Sequence, residues 1–258
     1  MHYETIDYDC SEGIATVTLS RPDVMNALST QMRAEITHAV QQGGRDARVV
    51  VLTGAGRAFC SGQDLGDRET VANIDLERVL RDEYVPMLNA IVDCPRPTIA
   101  AVNGAAAGAG ANLALCCDVV IATESAFFSQ AFSRIGLIPD AGGTWALPRQ
   151  MGLAKAMGAA LFADRISAKQ ADQWGMIWEA VPDADFETRW KARAAHLATG
   201  PSEAYQRIKQ AMRGAFEQDL ESQLALEAQL QGQCGQTRDF KEGVVAFMEK
   251  RPPKFEGR

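Results

Sequence analysis

The sequence predicts an α/β fold, and three observations carry the prediction. Residues 49 to 53, 98 to 102 and 119 to 122 are short apolar runs of strand length, the pattern of strands covered on both faces. Around them the order strand, glycine turn, helix, strand recurs, which is how an α/β core is written. From Leu153 onward the spacing of apolar residues is almost wholly helical, so a helical region follows the core. A chain of 258 residues with 47% hydrophobic content is long enough to bury one large core, with or without an appendage.

Each element has its own warrant. In residues 13 to 20, Ala15, Val17 and Leu19 alternate with Thr16 and Thr18, a half-buried strand that Arg21 and Pro22 end. The run Met25-Asn26-Ala27-Leu28 then leads into a helix with Met32, Ile36 and Val40 at i,i+4 spacing, which Gly43 and Gly44 are expected to close. After the 49 to 53 strand, Leu76, Leu80, Tyr84, Leu88 and Ile91 keep helical spacing, with Pro86 marking a break or kink. Pro95 and Pro97 reset the chain into the strand at 98 to 102, and a helix is expected to begin near Ala109. Residues 174 to 181 form a short apolar interruption among helices. Pro201 heads a helix running to about Phe216; Leu220, Leu224, Leu226 and Leu230 stripe the next; Phe240, Val244 and Phe247 mark the last. No internal repeat is strong enough to read as a solenoid.

Composition excludes several classes. No run of 18 apolar residues exists, and MHYETIDYDC lacks a basic region followed by an apolar run, so neither a membrane span nor a secretory signal is expected. Six scattered cysteines without a CxxC pair fit reduced thiols in the cytoplasm and no metal site or disulfide frame. A net charge of -7 without a basic block disfavours nucleic acid as a partner. GAGAN at 108 to 112 lacks the third glycine of a dinucleotide fingerprint, and no GK[ST] follows.

The candidate chemistry lies in residues 103 to 144. Small residues from Gly104 to Ala111 allow a ligand close to the backbone, and a helix starting near Ala109 would present unpaired N–H groups to an anion. Asp140, between Pro139 and a glycine pair, is the only carboxylate between Glu124 and Thr144. It reads either as an acid/base group or as a turn-stabilising aspartate. Asp64 and Asp118 read as cap or turn groups, Cys60, Cys116 and Cys117 as small core residues, and His196 as a solvated helix residue. Asn112 reads as a substrate hydrogen-bonder or a local polar contact. Phe132, Leu137 and Trp145 read as apolar walls for an aromatic ring or as core.

Four stretches, RPDVMNAL (21 to 28), LTGAGRAFCSGQDL (52 to 65), RPTIAAVNGAAAGAGANLALCCD (96 to 118) and FSRIGLIPDAGGT (132 to 144), together resemble the enoyl-CoA hydratase/isomerase (crotonase) superfamily, and the resemblance continues to EKRPPKF at 249 to 255. It implies a crotonase-type ββα spiral core over residues 1–198. A helical C-terminal region over 199–258 would take part in trimerisation and cover the active site. The substrate would be an acyl-CoA thioester, with no separate cofactor and no metal, and the assembly a homotrimer or homohexamer. By position, the oxyanion donors would be the backbone N–H groups of Gln63 and Ala109. Met25, Ala27, Ala58 and Gln63 would line the CoA path, with Asp64 and Leu65 following. Lys250 and Phe255 would reach the nucleotide end, in relatives often from a neighbouring subunit.

The resemblance also bears on the reaction. Hydratases of the family carry two glutamates where this sequence has Asn112 and Phe132, neither of which exchanges a proton at neutral pH. Position 132 also carries the glutamate of simple 3,2-enoyl-CoA isomerases. Dehalogenases pair the aspartate with an upstream histidine, and no histidine lies between His38 and His196. AFSRIGLIPDAGGTWALPR, QADQWGMIW and EGVVAFMEKRPPKF are similar to the ring-1,2-epoxyphenylacetyl-CoA isomerases of aerobic phenylacetate degradation. That likeness implies an isomerase with Asp140 as its one base. The alternatives are a 3,2-enoyl-CoA isomerase acting through Asp140, and a non-catalytic acyl-CoA-binding homologue.

Overall fold

The computed structural model describes residues 2–66 and 75–258. Its large sheet has the strand order β1 (Ile6–Ser11), β2 (Ile14–Leu19), β3 (Val49–Gly54), β5 (Thr98–Val102), β7 (Val119–Thr123) and β10 (Glu179–Val181). β1 and β2 form an antiparallel hairpin and the remaining pairs are parallel. A small sheet runs β4 (Ala58–Cys60), β6 (Ala105–Ala107), β8 (Phe127–Ser129) and β9 (Ile166–Ser167), with β9 antiparallel. The chain thus visits the large sheet and then the small one three times: β3 to β4, β5 to β6, β7 to β8. That spiral is the repeat the sequence does not display, because each turn is only a strand of five or six residues and a three-residue corner.

Helices complete the layers: α1 (Thr30–Asp46), α2 (Val85–Val92), α3 (Ala109–Leu115), α4 (Gly143–Phe162), α5 (Ala168–Gln173), α6 (Phe186–Ala198), α7 (Ser202–Gly214), α8 (Leu220–Gly235) and α9 (Arg238–Glu249). The large sheet is covered on both faces, as its continuous apolar runs require. Val50 and Leu52 face a core shared with Met32 and Ile36 of α1 and Met87 and Ile91 of α2. Val49 and Val51 face Phe186, Trp190 and Ala194 of α6.

Several expectations are corrected. Gly43 and Gly44 do not end α1, which continues to Asp46. A Cβ on Gly43 would lie 2.8 Å from the Ala15 Cβ, and one on Gly44 3.2 Å from Cys94 Sγ, so both glycines let the helix lie close to its neighbours. β1 was not expected, and neither were the corner strands, whose runs of two to three residues carry no periodicity. The apolar interruption at 174 to 181 contains β10, the edge of the large sheet. Pro86 sits in the first turn of α2, directly after a π-turn at Leu80–Tyr84, and the backbone stays right-handed helical across the junction, so the proline marks a change of helix type and no break.

Asp118 is more than a turn residue. Its carboxylate meets Lys209 Nζ and Arg213 Nη2 of α7, each at 2.7 Å, while accepting from the Thr98 amide at 2.8 Å and its hydroxyl at 3.0 Å. Lys209 also donates to the carbonyls of Cys94 and Arg96, both at 2.8 Å. One acid therefore ties the C-terminal helices to the start of β5. Replacing Asp118→Asn leaves two half-buried cations with a neutral partner. Urea unfolding should show a loss of about 1 to 3 kcal/mol relative to the parent protein.

Candidate functional site

Two loops at the top of the spiral meet backbone to backbone. Gly62 has φ +99° and Gly108 φ +53° with ψ −128°, conformations open to glycine and costly for other residues. A Cβ on Gly62 would fall 2.8 Å from the Ala107 carbonyl oxygen and 3.5 Å from the Ala109 nitrogen, so only glycine permits the contact. The Leu28 amide donates to the Gly62 carbonyl at 2.8 Å. Because a trans peptide points its C=O and N–H in opposite directions, the Gln63 N–H of that unit faces away from Leu28. Ala109 opens α3, where no intrahelical acceptor exists for its own N–H. Neither N–H has a backbone acceptor among the described residues. Gly110 seats α3 on β4: a Cβ there would lie 2.3 Å from the Cys60 carbonyl oxygen.

Asp140 stands in the turn that opens α4. Ala141 and Gly142 are both left-handed, at φ +47° and +82°, and the Asp140 carbonyl accepts from the Gly143 amide at 2.8 Å. The same carbonyl accepts from Asn112 Nδ2 at 2.8 Å, and Asn112 Oδ1 accepts from Gln130 Nε2 at 2.8 Å. Both amides are fully buried. A Cβ on Gly143 would lie 2.3 Å from Asn112 Nδ2, which explains the glycine. The carboxylate itself is left open: its Oδ1 is buried with no hydrogen-bond partner among the described residues. Burial pushes the carboxyl up from 3.8 to about 6, against a small opposing effect of its own backbone. The Asp140 charge also acts on the buried Tyr84 phenol, whose ionisation is pushed well above its ordinary range, chiefly by burial.

The structure places the other sequence candidates as follows. The Phe132 ring is buried and lies 3.7 Å from where a Gly108 Cβ would stand, over the glycine turn. Leu137 is half-buried on the same segment, its amide bonded to the Phe132 carbonyl at 3.0 Å. Of the two readings of Asn112, the contacts favour the local polar one: it supports the Asp140 backbone, and both ends of its amide are held by protein. Trp145 is corrected. It is exposed on α4, stacked with Arg149 at 4.3 Å, and lines a cleft with Ile208 and Met212 of α7.

Met25 is exposed and left-handed, Ala27 and Ala58 are buried, and Leu65 is exposed beside the Gln63 loop. Asp64 pairs with Arg21 at 2.7 Å; burial opposes, but Arg21 and the Gly66 amide hold its carboxyl below the usual range. Lys250 ends α9 in a left-handed conformation, and Phe255 packs on Gly243, lining a groove with Phe240 and Phe247 within the C-terminal region. Cys60 and Cys117 are buried and Cys116 is half-buried. Burial pushes the Cys60 and Cys116 thiols up to about 12 and about 11, so they are inert core groups. His196 is exposed. Sequence reasoning missed Asn26, whose fully buried amide bonds Ala55 O and Ala58 O while its oxygen accepts from the Arg21 amide. It also missed Gln130. Neither carries a local signal, because each acts on backbone distant in sequence.

A spiral α/β core whose glycine turns meet beside one half-buried carboxylate is the architecture of the crotonase fold. The enoyl-CoA hydratase/isomerase family profile matches residues 9–258, and the chain belongs to that family. It is 62% identical over its full length to a protein of Rhodobacter capsulatus named a probable enoyl-CoA hydratase, all of which is covered. It is 46% identical to 1,2-epoxyphenylacetyl-CoA isomerase of Escherichia coli, with 96% of each chain covered. Among solved structures, an enoyl-CoA hydratase from Bacillus anthracis superposes with a TM-score of 0.91 at 33% identity, covering 99% of this chain and 100% of the other. No described helix is long and apolar enough to cross a membrane.

The environment of Asp140 gives a prediction of sign. A carboxyl raised from 3.8 to about 6 in the fold stabilises the protein below pH 4, and that contribution is lost as pH rises toward about 6. Above that, the buried charge is a standing cost. Asp140→Asn should therefore melt higher than the parent at pH 7.5, with the gap closing toward pH 4; an unchanged melting temperature at both pH values would contradict the unpartnered burial.

Proposed function

We propose that the protein is an acyl-CoA isomerase that moves a proton along an unsaturated chain, with ring-1,2-epoxyphenylacetyl-CoA as substrate and oxepin-CoA as product. The observation that carries the reading is Asp140: a carboxylate with a buried, unpartnered oxygen, a raised proton affinity and, among the described residues, no second acid acting on it. The Gln63 and Ala109 N–H groups bind the thioester oxygen. In other enzymes one such donor contributes about 2.7 to 4 kcal/mol to the transition state. With the oxygen held, the Asp140 carboxylate removes a proton from the α-carbon. The electron pair delocalises onto the thioester oxygen as an enolate, and the Asp140 carboxylic acid returns the proton to the γ-carbon of the oxepin tautomer. The proton is moved and not consumed, so one carboxylate serves both steps and no cofactor besides the substrate's own CoA is needed. A pKa near 6 suits a group that must both take and return a proton near neutrality.

The same cycle would shift β,γ-unsaturated acyl-CoAs to α,β. Phe132 and Leu137 supply the apolar wall for the acyl group. Met25, Ala27, Ala58, Asp64 and Leu65 lie along the loops that would receive CoA.

Hydration is the second reading, favoured by the name of the 62% identical relative. It requires a water held between two carboxylates. Asn112 and Phe132 stand where the family's hydratases carry them, and the Asn112 amide is occupied by Asp140 and Gln130. Exposed apolar side chains on α9, with Phe247 at 85% and Met248 at 76%, support assembly with further copies of the chain, as a trimer or hexamer. In that assembly Lys250 and Phe255 would meet a neighbour's CoA.

Four measurements test these proposals. With β,γ-unsaturated and phenylacetate-derived CoA thioesters, ultraviolet absorbance should rise through conjugation without water addition. Activity should fall below a pH of about 6 as Asp140 is protonated. Asp140→Asn should bind the thioesters and lose at least about 1000-fold in kcat. A 3-hydroxyacyl product, or near-normal turnover in Asp140→Asn, overturns the isomerase. Light scattering should give a mass that is a multiple of three 27.9 kDa chains, and a monomer would contradict the assembly.

A further inference from the structure

We propose that Arg33, Glu83 and Tyr84 form a brace that holds the Gly62–Gln63 peptide in orientation, making Arg33 and Tyr84 positioning residues for the Gln63 N–H. The proposal rests on that N–H acting as an oxyanion donor.

The problem the brace solves is local. Gly62 has no side chain and sits at φ +99°, so the peptide it shares with Gln63 has little intrinsic preference for one orientation. An oxyanion donor that rotates loses its value, since preorganisation is the source of its effect. Two sets of contacts fix this peptide. On the carbonyl side, the Leu28 amide donates to Gly62 O at 2.8 Å, and the Leu28 carbonyl receives the Asp64 amide at 3.2 Å. Arg33 Nη1 donates to that same Leu28 carbonyl at 2.6 Å, anchoring the residue to which the Gly62 carbonyl is bonded.

On the side-chain side, Gln63 Oε1 accepts from Arg33 Nη1 at 3.0 Å and from the Tyr84 hydroxyl at 2.5 Å, while its Nε2 donates to the Asp64 carbonyl at 3.2 Å. The Gln63 side chain is thus satisfied within the protein at both ends, and Arg33, one of the two donors to its oxygen, also secures Leu28.

Arg33 is itself held without freedom. It is 2% exposed, its guanidinium lies 4.7 Å from the centre of the Tyr84 ring, and Nη2 pairs with Glu83 and reaches Thr30 Oγ1. Burial opposes ionisation of Glu83, but Arg33 and Thr30 hold its carboxyl below the usual range, so the pair stays charged. Glu83 and Tyr84 close the π-turn at Leu80–Tyr84. A π-turn spaces consecutive residues more narrowly around the axis than an α-helix, which lets both side chains face α1. A buried guanidinium is a poor choice for stability alone, because a buried ion pair is often no better than apolar packing of equal volume. Its five donors, spread over Leu28, Gln63, Thr30 and Glu83, suit a geometric task.

Two variants and an optical probe test the brace. The probe is an arylacryloyl-CoA thioester bearing a para-amino donor, whose absorption moves to longer wavelength when its carbonyl is polarised. Wild type and Asp140→Asn should both shift the bound probe, which reads the oxyanion site apart from proton transfer. Tyr84→Phe, which keeps the ring under Arg33, and Gln63→Met should bind the probe and the substrate with KM within about twofold of the parent. Both should reduce the spectral shift and lower kcat, by about tenfold for Gln63→Met. A lowered melting temperature with full shift and parental kcat in both variants would assign the network to stability alone and overturn the brace. Absence of any shift in wild type and Asp140→Asn alike would instead overturn the oxyanion reading on which the brace rests.

Discussion

The contact on which the site depends is between two stretches of bare backbone, the Gly62–Gln63 peptide and the Ala107–Ala109 turn. Their approach, within the reach of a single methyl group, is possible only because no side chain stands between them. The spiral delivers them. Each passage from the large sheet to the small one ends in a corner at the same edge, so the loops after β4 and β6 arrive side by side. Gly110 then lets α3 rest on the β4 carbonyl, which fixes where the Ala109 amide points.

The acid is built on the opposite principle. Among the described residues, the Gln63 and Ala109 N–H groups have no backbone acceptor, whereas Asp140 has a buried side-chain oxygen without a donor. Its peptide is tightly held, by the Gly143 amide and by Asn112, which Gln130 holds in turn. Its carboxylate is not, and that asymmetry raises its proton affinity. Rigid backbone with an uncompensated side chain is a stability cost that many active sites carry. The C-terminal helices contribute from a distance, through Asp118 and through Arg48, which donates to Gly200 and Phe255 carbonyls and to the Ser202 hydroxyl.

Much of the fold was legible in the sequence where a residue's neighbours in sequence are also its neighbours in space. The buried strands at 49 to 53, 98 to 102 and 119 to 122 and the helix starting at Ala109 were of this kind. Gly43 and Gly44 misled because a glycine pair normally ends a helix, whereas here it serves close packing on β2, β3 and the 94–95 turn. Trp145 misled for a related reason. It follows Asp140 by five residues, but α4 turns it toward α7 and out of the site.

The sequence by itself determined the chemistry available: glycine turns that accept backbone contact, one carboxylate in the segment that follows them, and no acid at 112 or 132. These are properties of residue type, and no fold could alter them. Only the tertiary structure decided how those groups stand to one another. It made Asn112 a support, left Asp140 Oδ1 without a partner among the described residues, and set Arg33 and Tyr84 beside Gln63. Those relations join residues 20 to 30 positions apart in the chain, and in the case of Arg33 and Glu83 about 50. Over such separations no local pattern records a contact, because the chain between is free to differ while the contact stays the same.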